Sequence, residues 1–328
     1  MSPAPSRTFA VVLNPAAGNR RAGRQRERLQ RALDAAGVPY ELLPTVRPQH
    51  AAELARRAAA AFDVVVAAGG DGTLQEVATG LFGQEERATL GVLPLGTGND
   101  FAELLGIPKQ PEAALRALLR AEPVPVDGGV VRWRTARTGG LWNEAVFVNA
   151  VGIGFDAEVA FRAQRKKRLR GKLAYAAAIG GVLRSWPTPE VEVRRVGEAV
   201  AVTPSGATAP LDDGSGPVYR GPLFLCCAAN GRSVGGGFRL TPHAEVDDGR
   251  LDLCCVGALP LKRILMLLPK VFRGAHLGAP EVISERLGGV TLTASSGLPI
   301  HLDGEIVTRE AVEVEVAVQP AAFRVLRP

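Results

Sequence analysis

A chain of 328 residues with 46% apolar side chains is long enough for two globular domains, each able to bury its own core. The net charge of +6 is moderate for this length, and no RNA-binding, zinc-finger or helix-turn-helix pattern accompanies it. Nucleic acid is therefore not an expected partner, and only a weak attraction to anionic surfaces follows.

Met1 to Ser6 lacks the apolar core of a secretory leader. The longest helix-like apolar run, Leu173 to Leu183, falls short of the ~20 residues of a membrane span. The cysteines stand as adjacent pairs, Cys226-Cys227 and Cys254-Cys255, inside β-like runs. Neighbours on a strand face opposite ways, so neither pair has the geometry of a zinc or redox motif. Reduced, buried thiols and a cytoplasmic location are expected.

Thr8 to Leu13 reads as a first strand ending in the small-residue turn Asn14-Pro15-Ala16-Ala17-Gly18. Arg20 to Ala36 reads as a basic amphipathic helix closed by Gly37. Pro39 to Leu43 is a second strand, followed by an Ala-rich helix over Gln49 to Ala61. Val64 to Ala68, with three adjacent valines, has the texture of a buried parallel strand. It stops in Gly69-Gly70-Asp71-Gly72. Thr73 occupies an N-cap position for a helix reaching about Phe82, with Glu76 as its capping-box partner. A strand, a glycine loop and a helix start form a phosphate cradle. The stretch has neither the GxGxxG spacing nor a GK[ST] ending.

Leu90 to Leu93 is a fourth strand, leading into Pro94-Leu95-Gly96-Thr97-Gly98-Asn99-Asp100. Strands alternate with helices through short loops, which predicts an α/β, doubly wound, nucleotide-binding sheet with its ligand beyond the carboxyl ends of the strands. The loops there are Asn14 to Gly18, Thr45, Gly69 to Thr73 and Pro94 to Asp100. A helix over Pro111 to Arg120 closes the unit, and Pro123-Val124-Pro125 marks its boundary. After Asp127 come β-like runs with few helices: 130–134, 144–151, 191–196, 218–228, 251–256, 290–293, 312–318 and 323–326. They predict a mainly antiparallel β-sandwich domain. Residues 203–216 read as a surface insertion. The expected division is a nucleotide-binding domain over 4–127, completed by about 310–328, and a β-rich domain over 128–309.

Six stretches recur together. Asn14-Pro15-x-x-Gly18, Gly69-Gly70-Asp71-Gly72-Thr73, Pro94 to Asp100, Gly152-Ile153-Gly154-Phe155-Asp156, Asp247-Asp248-Gly249 and Asp303-Gly304-Glu305 span nearly the whole chain. In that order they resemble the diacylglycerol kinase and sphingosine kinase superfamily, most closely its bacterial lipid kinases. The glycine-aspartate loop alone is shared with NAD kinases and phosphofructokinases.

The resemblance implies an enzyme that moves the γ-phosphoryl group of ATP, with Mg²⁺, to a hydroxyl of diacylglycerol or a related lipid, as in phospholipid biosynthesis. Asn14, Pro15, Ala16, Ala17, Gly18, Thr45, Gly69, Gly70, Asp71, Gly72, Thr73, Leu74, Gln75, Glu76, Thr97 and Asn99 would bind nucleotide. By charge, Asp71 would act through Mg²⁺ rather than touch phosphate. No Walker lysine is present, and metal, backbone dipoles and Arg20 or Arg21 would compensate. Asp303 matches the family's catalytic base, with His301 as a weaker alternative; as bare sequence, Asp303-Gly304 also reads as an ordinary hairpin turn. A second, structural magnesium would be held by the carbonyls of Glu245 and Arg250 and the side chain of Asp248, linked through water to Asp71, Asp100, Asp127 and Glu305. Lys172 and Tyr175 match favoured positions without an assigned role.

Two features point to a membrane surface rich in anionic lipid. One is the basic run from Arg162 to Lys172. The other is Leu261 to Arg273, which sets Lys262, Met266, Lys270 and Arg273 against Leu261, Ile264, Leu265, Leu268 and Phe272. The expected protein is thus peripheral to the membrane, and a homodimer is compatible with a sequence that does not encode its oligomeric state legibly. The rival readings are a catalytically silent nucleotide- or lipid-binding protein and an NAD or sugar kinase.

Overall fold

Four short apolar runs in the amino-terminal third form one parallel sheet in the computed structural model, which describes residues 7–84, 88–138, 140–165, 178–202, 208–210 and 217–328. The side chains of 19–21, 138, 198–202 and 208–210 are not among those described. Arg20, Arg21, Lys172, Tyr175 and the basic run beyond Arg165 therefore lie outside what the structure describes. By contacts the chain divides into Met1–Val126 with Ala321–Pro328, and Asp127–Pro320.

In the first unit, β1 (Phe9–Leu13) pairs in parallel with β2 (Tyr40–Pro44) on one side and β3 (Val64–Gly69) on the other. β4 (Thr89–Pro94) follows β3, and the chain's last strand returns beside it, Val325 opposite Leu90. Every residue of β1, β3 and β4 is buried, as expected of strands covered on both faces. The helices are α1 (Ala17–Arg24), α2 (Arg26–Ala36), α3 (His50–Ala59), α4 (Asp71–Leu81), α5 (Asp100–Leu104) and α6 (Pro111–Arg120).

One local expectation fails here for a physical reason. The helix read over Arg20 to Ala36 is two helices: Gln25 bonds back to Ala22, and a new helix starts at Arg26. Pro123-Val124-Pro125 lies inside β5 (Glu122–Thr135), whose strand backbone suits the fixed φ of proline, and the division between the two units follows at Val126.

The second unit is built from β5, β6 (Asn143–Phe147), β7 (Ala150–Gly154), β8 (Glu190–Val202), β9 (Thr208–Pro210), β10 (Pro217–Ala229), β11 (Leu251–Gly257), β12 (Val282–Leu302) and β13 (Glu305–Arg327). Its β7, β8 and β10 to β13 pair antiparallel. β12 and β13 are far longer than the separate short runs read from the sequence. Register shifts between Thr293 and His301 let one strand bend through the polar stretch at 295–297 without ending. One core cluster includes Trp133, Phe147, Ile153, Leu223, Leu253, Leu292 and Val314. Another includes Phe155, Val159, Val182, Phe224, Leu240 and Val256, packed beneath α7 (Phe155–Arg165), helical residues 178–183 and α8 (Leu261–Arg273). Cys226 and Cys255 lie in the first cluster and Cys227 and Cys254 in the second, all buried and free.

Candidate active site

Neighbouring strands in the order β2-β1-β3-β4 deliver their carboxyl ends together, and side chains then tie the loops to one another. Asn14 ends β1: its backbone N–H donates to the Ala68 carbonyl (3.0 Å) and its Nδ2 donates to Thr73 Oγ1 (3.0 Å). The β4 loop hangs on β3 through Leu95 and Gly96, whose N–H groups both donate to the Gly69 carbonyl. Gly70 and Gly96 meet backbone to backbone; a Cβ on Gly96 would lie 2.4 Å from the Gly70 Cα. Asn99, at φ +59°, closes its own loop onto Gly96 and donates its N–H to Asp71 Oδ2 (2.7 Å).

The expected capping box does not form. The helix is capped three residues earlier than expected, starting at Asp71 with Gly70 as N-cap, which leaves Thr73 inside the first turn, buried and bonded to Asn14. Glu76 reaches away from its own helix and accepts the N–H groups of Gln49 (3.0 Å) and Ala51 (3.1 Å) at the start of α3. Gln75 bonds to Thr79 one turn on, while Leu74 is buried and spends its N–H on Gly70.

The donors in Asn14 to Gly18 are also largely committed. Pro15 has none, Ala16 donates to Asn14 Oδ1 and Ala17 to the Asn14 carbonyl. The first-turn N–H groups of Gly72 and Thr73, which helix geometry leaves without intrahelical partners, are the better anion donors. Thr45 donates its N–H to Leu13, and Thr97 is exposed at the loop tip.

In the second unit, Asp303 and Gly304 form a two-residue hairpin between β12 and β13 with φ of +50° and +92°, the pattern of a type I′ turn. Asp303 does more than turn the chain. Its Oδ2 accepts the Val148 N–H (3.0 Å), and its Oδ1 accepts those of Asn149 (2.9 Å) and Ala150 (2.8 Å). Burial pushes the carboxyl above the usual carboxylate range, against the opposing pull of these three donors and of His301. His301 is buried with Nε2 3.3 Å from Asp156 Oδ2, while its Nδ1 accepts the Gly304 N–H (3.2 Å). A Cβ on Gly152 would strike both partners, at 2.1 and 2.2 Å, so the pair depends on that glycine. Gln164 of α7 holds the Gly304 carbonyl and the Glu305 carboxylate.

An apolar cavity opens beside this turn, with about 770 Å³ of empty space including its mouth. Phe155, Phe224, Leu240, Val256, Leu267 and Val271 are among its walls, and the polar side chains among them are Asp156 and His276. Both carry a buried polar atom without a hydrogen-bond partner, Asp156 Oδ2 and His276 Nδ1. Burial lowers the pKa of His276, favouring the neutral imidazole. Neither residue is singled out by its sequence pattern. Asp156 stood within a quoted motif, but nothing local signals the cavity, whose walls come from five separate parts of the chain.

The proposed second metal turn is held from two sides. Asp127 Oδ2 accepts the Gly249 N–H (2.7 Å). Asp248 Oδ1 accepts the Arg250 N–H (3.0 Å), and its Oδ2 lies 3.3 Å from Arg286 Nη1. Arg286 also pairs with Asp252 (3.0 Å) and donates to the His243 carbonyl (2.6 Å). Among the described residues no group of three or more His, Cys, Asp or Glu is gathered as a metal cage. One carboxylate with two backbone carbonyls would still be a hard oxygen donor set, so the chemistry of Glu245, Asp248 and Arg250 fits magnesium. Asp71 and Asp100 flank Asn99 in the first unit, and Glu305 is exposed beside Gln164. Among the described residues no helix is long and apolar enough to cross a membrane.

Comparison with known proteins places these features. Residues 8–131 match the diacylglycerol kinase catalytic domain, and residues 149–327 match the YegS C-terminal NAD kinase beta sandwich-like domain. A Pseudomonas aeruginosa (strain UCBPP-PA14) protein named "Probable lipid kinase YegS-like" is 34% identical over 272 residues, 82% of this chain and 78% of that one. The Bacillus subtilis (strain 168) diacylglycerol kinase is 29% identical over 300 residues, 90% of this chain and 88% of its own. A crystal structure of a diacylglycerol kinase from Bacillus anthracis str. Sterne superposes with a TM-score of 0.69 at 20% identity, covering 98% of this chain and 97% of that one, which shows the shared fold. With an α/β nucleotide-type unit followed by a β-sandwich unit, both matched in order, the chain belongs to the diacylglycerol kinase family of lipid kinases.

Proposed function

We propose that this lipid kinase transfers the γ-phosphoryl group of ATP to a free hydroxyl of diacylglycerol or a related lipid, with Asp303 as general base. The observation that carries the lipid part is the apolar cavity, in which an acyl chain has room and whose polar lining is limited to Asp156, paired with His301, and His276.

The carboxylate of Asp303 offers about four lone-pair positions. Three are taken by backbone N–H groups, which leaves one on Oδ2 for the proton of an acceptor hydroxyl. Its raised pKa makes it a stronger base than an ordinary aspartate, and the three donors hold it in one orientation. Nucleotide binding is assigned to the first unit: the N–H groups of Gly72 and Thr73 at the start of α4 take phosphate, and the exposed Thr97 hydroxyl is within the same loop set. Asn14, Asn99, Gly70 and Gly96 frame those loops rather than contact ligand. Mg²⁺ would be held by Asp71, with Asp100, and would neutralise charge on the transferring phosphate. A magnesium at Glu245, Asp248 and Arg250 would be structural. The acceptor being a lipid, the enzyme works at a membrane surface.

The test is transfer of labelled γ-phosphate from ATP into a panel of lipids in mixed micelles, with and without Mg²⁺. A labelled lipid that requires Mg²⁺ fixes class and acceptor together. Bound ATP with no product from any lipid would overturn the proposal in favour of a silent binder.

A further inference from the structure

The expected two-sided pattern of α8 is more specific than a polar and an apolar half. Ile264, Leu267, Leu268 and Val271 face inward and wall the apolar cavity. A second apolar row faces out: Leu261 is 55% exposed, Leu265 54%, Met266 52% and Phe272 49%. They account for four of the seven large exposed hydrophobic residues among those described. Lys262, Lys270 and Arg273 are exposed alongside them, and the helix contains no acidic residue. Arg263 is neutralised by Glu281 through two hydrogen bonds of 2.7 and 2.8 Å. The charge left on the outer face is therefore wholly positive. Pro269, inside the helix, removes the N–H that would bond to the Leu265 carbonyl and loosens the turn between the two rows.

We propose that α8 is the bilayer-docking element and that the acceptor reaches the cavity along it. Leu261, Leu265, Met266 and Phe272 enter the headgroup and acyl boundary of an anionic membrane, while the three cations meet lipid phosphates. Apolar residues rimmed by lysine and arginine, with no carboxylate among them, complement a negatively charged lipid surface and not a neutral protein groove. Because the same helix walls the cavity from behind, a lipid leaving the leaflet passes from one apolar row to the other without crossing water. The inference rests on the lipid-kinase reading for the identity of the cavity's occupant.

The experiment uses the full chain with vesicles of phosphatidylcholine, with and without phosphatidylglycerol, and the variants Leu265→Ser/Met266→Ser and Lys262→Gln/Lys270→Gln. Neither pair lines the cavity or the catalytic turn. Wild-type protein should bind phosphatidylglycerol vesicles at least ~tenfold better than neutral ones, a preference lost at high salt. Each double variant should lose about tenfold in vesicle binding and in phosphorylation of vesicle-embedded diacylglycerol, while keeping wild-type turnover on dispersed short-chain diacylglycerol. Unchanged vesicle binding in both variants would overturn the proposal. So would equal loss on the dispersed acceptor, which would make α8 a support for the fold. A wild-type dimer that the serine variant converts to monomer would assign the face to a second copy instead. If wild-type protein phosphorylates neither form of the lipid, the lipid-kinase reading falls, while the binding measurement still reports on docking.

Discussion

Asp303 and Ala150 are bonded to each other twice: the Ala150 N–H donates to Asp303 Oδ1 at 2.8 Å, and the Asp303 N–H donates to the Ala150 carbonyl at 2.9 Å. The candidate base is thereby locked to β7 through its side chain and its backbone at once. Asp303→Asn keeps most of this. Asparagine tolerates φ near +50°, and its oxygen still serves Asn149 and Ala150, but its amide nitrogen faces the Val148 N–H donor to donor. The expected cost is about 1–3 kcal/mol of stability, with turnover down by ~10²–10⁴ and ATP affinity unchanged. Steady-state kinetics beside a nucleotide titration check this; near-wild-type turnover would remove Asp303 from the chemistry. The acid limb of the wild-type pH profile should lie above the ordinary carboxylate range, following the raised pKa.

Gly96→Ala tests the loop contact. The new Cβ would sit 2.4 Å from the Gly70 Cα and 2.8 Å from Asn99 Oδ1, and backbone cannot yield as a side-chain end can. The two glycine loops must separate, costing about 1–3 kcal/mol and weakening ATP binding by roughly tenfold or more. Calorimetric titration with ATP reads the second effect. Tight binding by the variant would mean that the loops do not jointly frame the nucleotide.

Glu76 separates a structural role from a binding one. Its carboxylate caps the Gln49 and Ala51 N–H groups of α3, so Glu76→Ala should cost about 1 kcal/mol in urea unfolding and leave ATP affinity intact. Weakened ATP binding without a stability change would return Glu76 to the nucleotide site.

Asp252 gives a pH signature. Burial pushes its carboxyl up to about 6, with the Arg286 guanidinium pulling the other way. An ordinary aspartate loses its proton near pH 4, so between about pH 4 and 6 the folded chain holds a proton that the unfolded chain has released. Stability from this group is present at low pH and declines as the pH rises through the window, by at most about 3 kcal/mol. Asp252→Asn should abolish that decline. Urea midpoints for the two proteins that run parallel from pH 4 to 7 would contradict the assignment.

What was legible in the sequence was local. The strand ends, the glycine loops and the Asp303-Gly304 hairpin are each set within a few residues, and they lie where their patterns put them. What was not legible depends on partners far along the chain. Glu76 finds its N–H groups 25 and 27 residues away, and Asp303 is anchored by donors 153 to 155 residues earlier. The pairing of His301 with Asp156 spans a similar distance. The outward row of α8 escaped an amphipathic reading because both rows are apolar, and only tertiary packing tells a wall from a surface.

The last strand of the first sheet also sets an order of assembly. Val325 pairs with Leu90 and Phe323 packs on Phe82, so among the described residues the edge of β4 is closed by a segment far downstream in sequence. On the ribosome, the amino-terminal sheet emerges early but keeps the buried strand β4 open at its edge until Val325 follows, 235 residues after Leu90 (325 − 90). Such an edge invites pairing with other nascent chains. Deleting the last eight residues would leave that vulnerability permanent, and expressing the amino-terminal unit alone would produce a sheet prone to aggregation unless the closing strand were supplied by circular permutation.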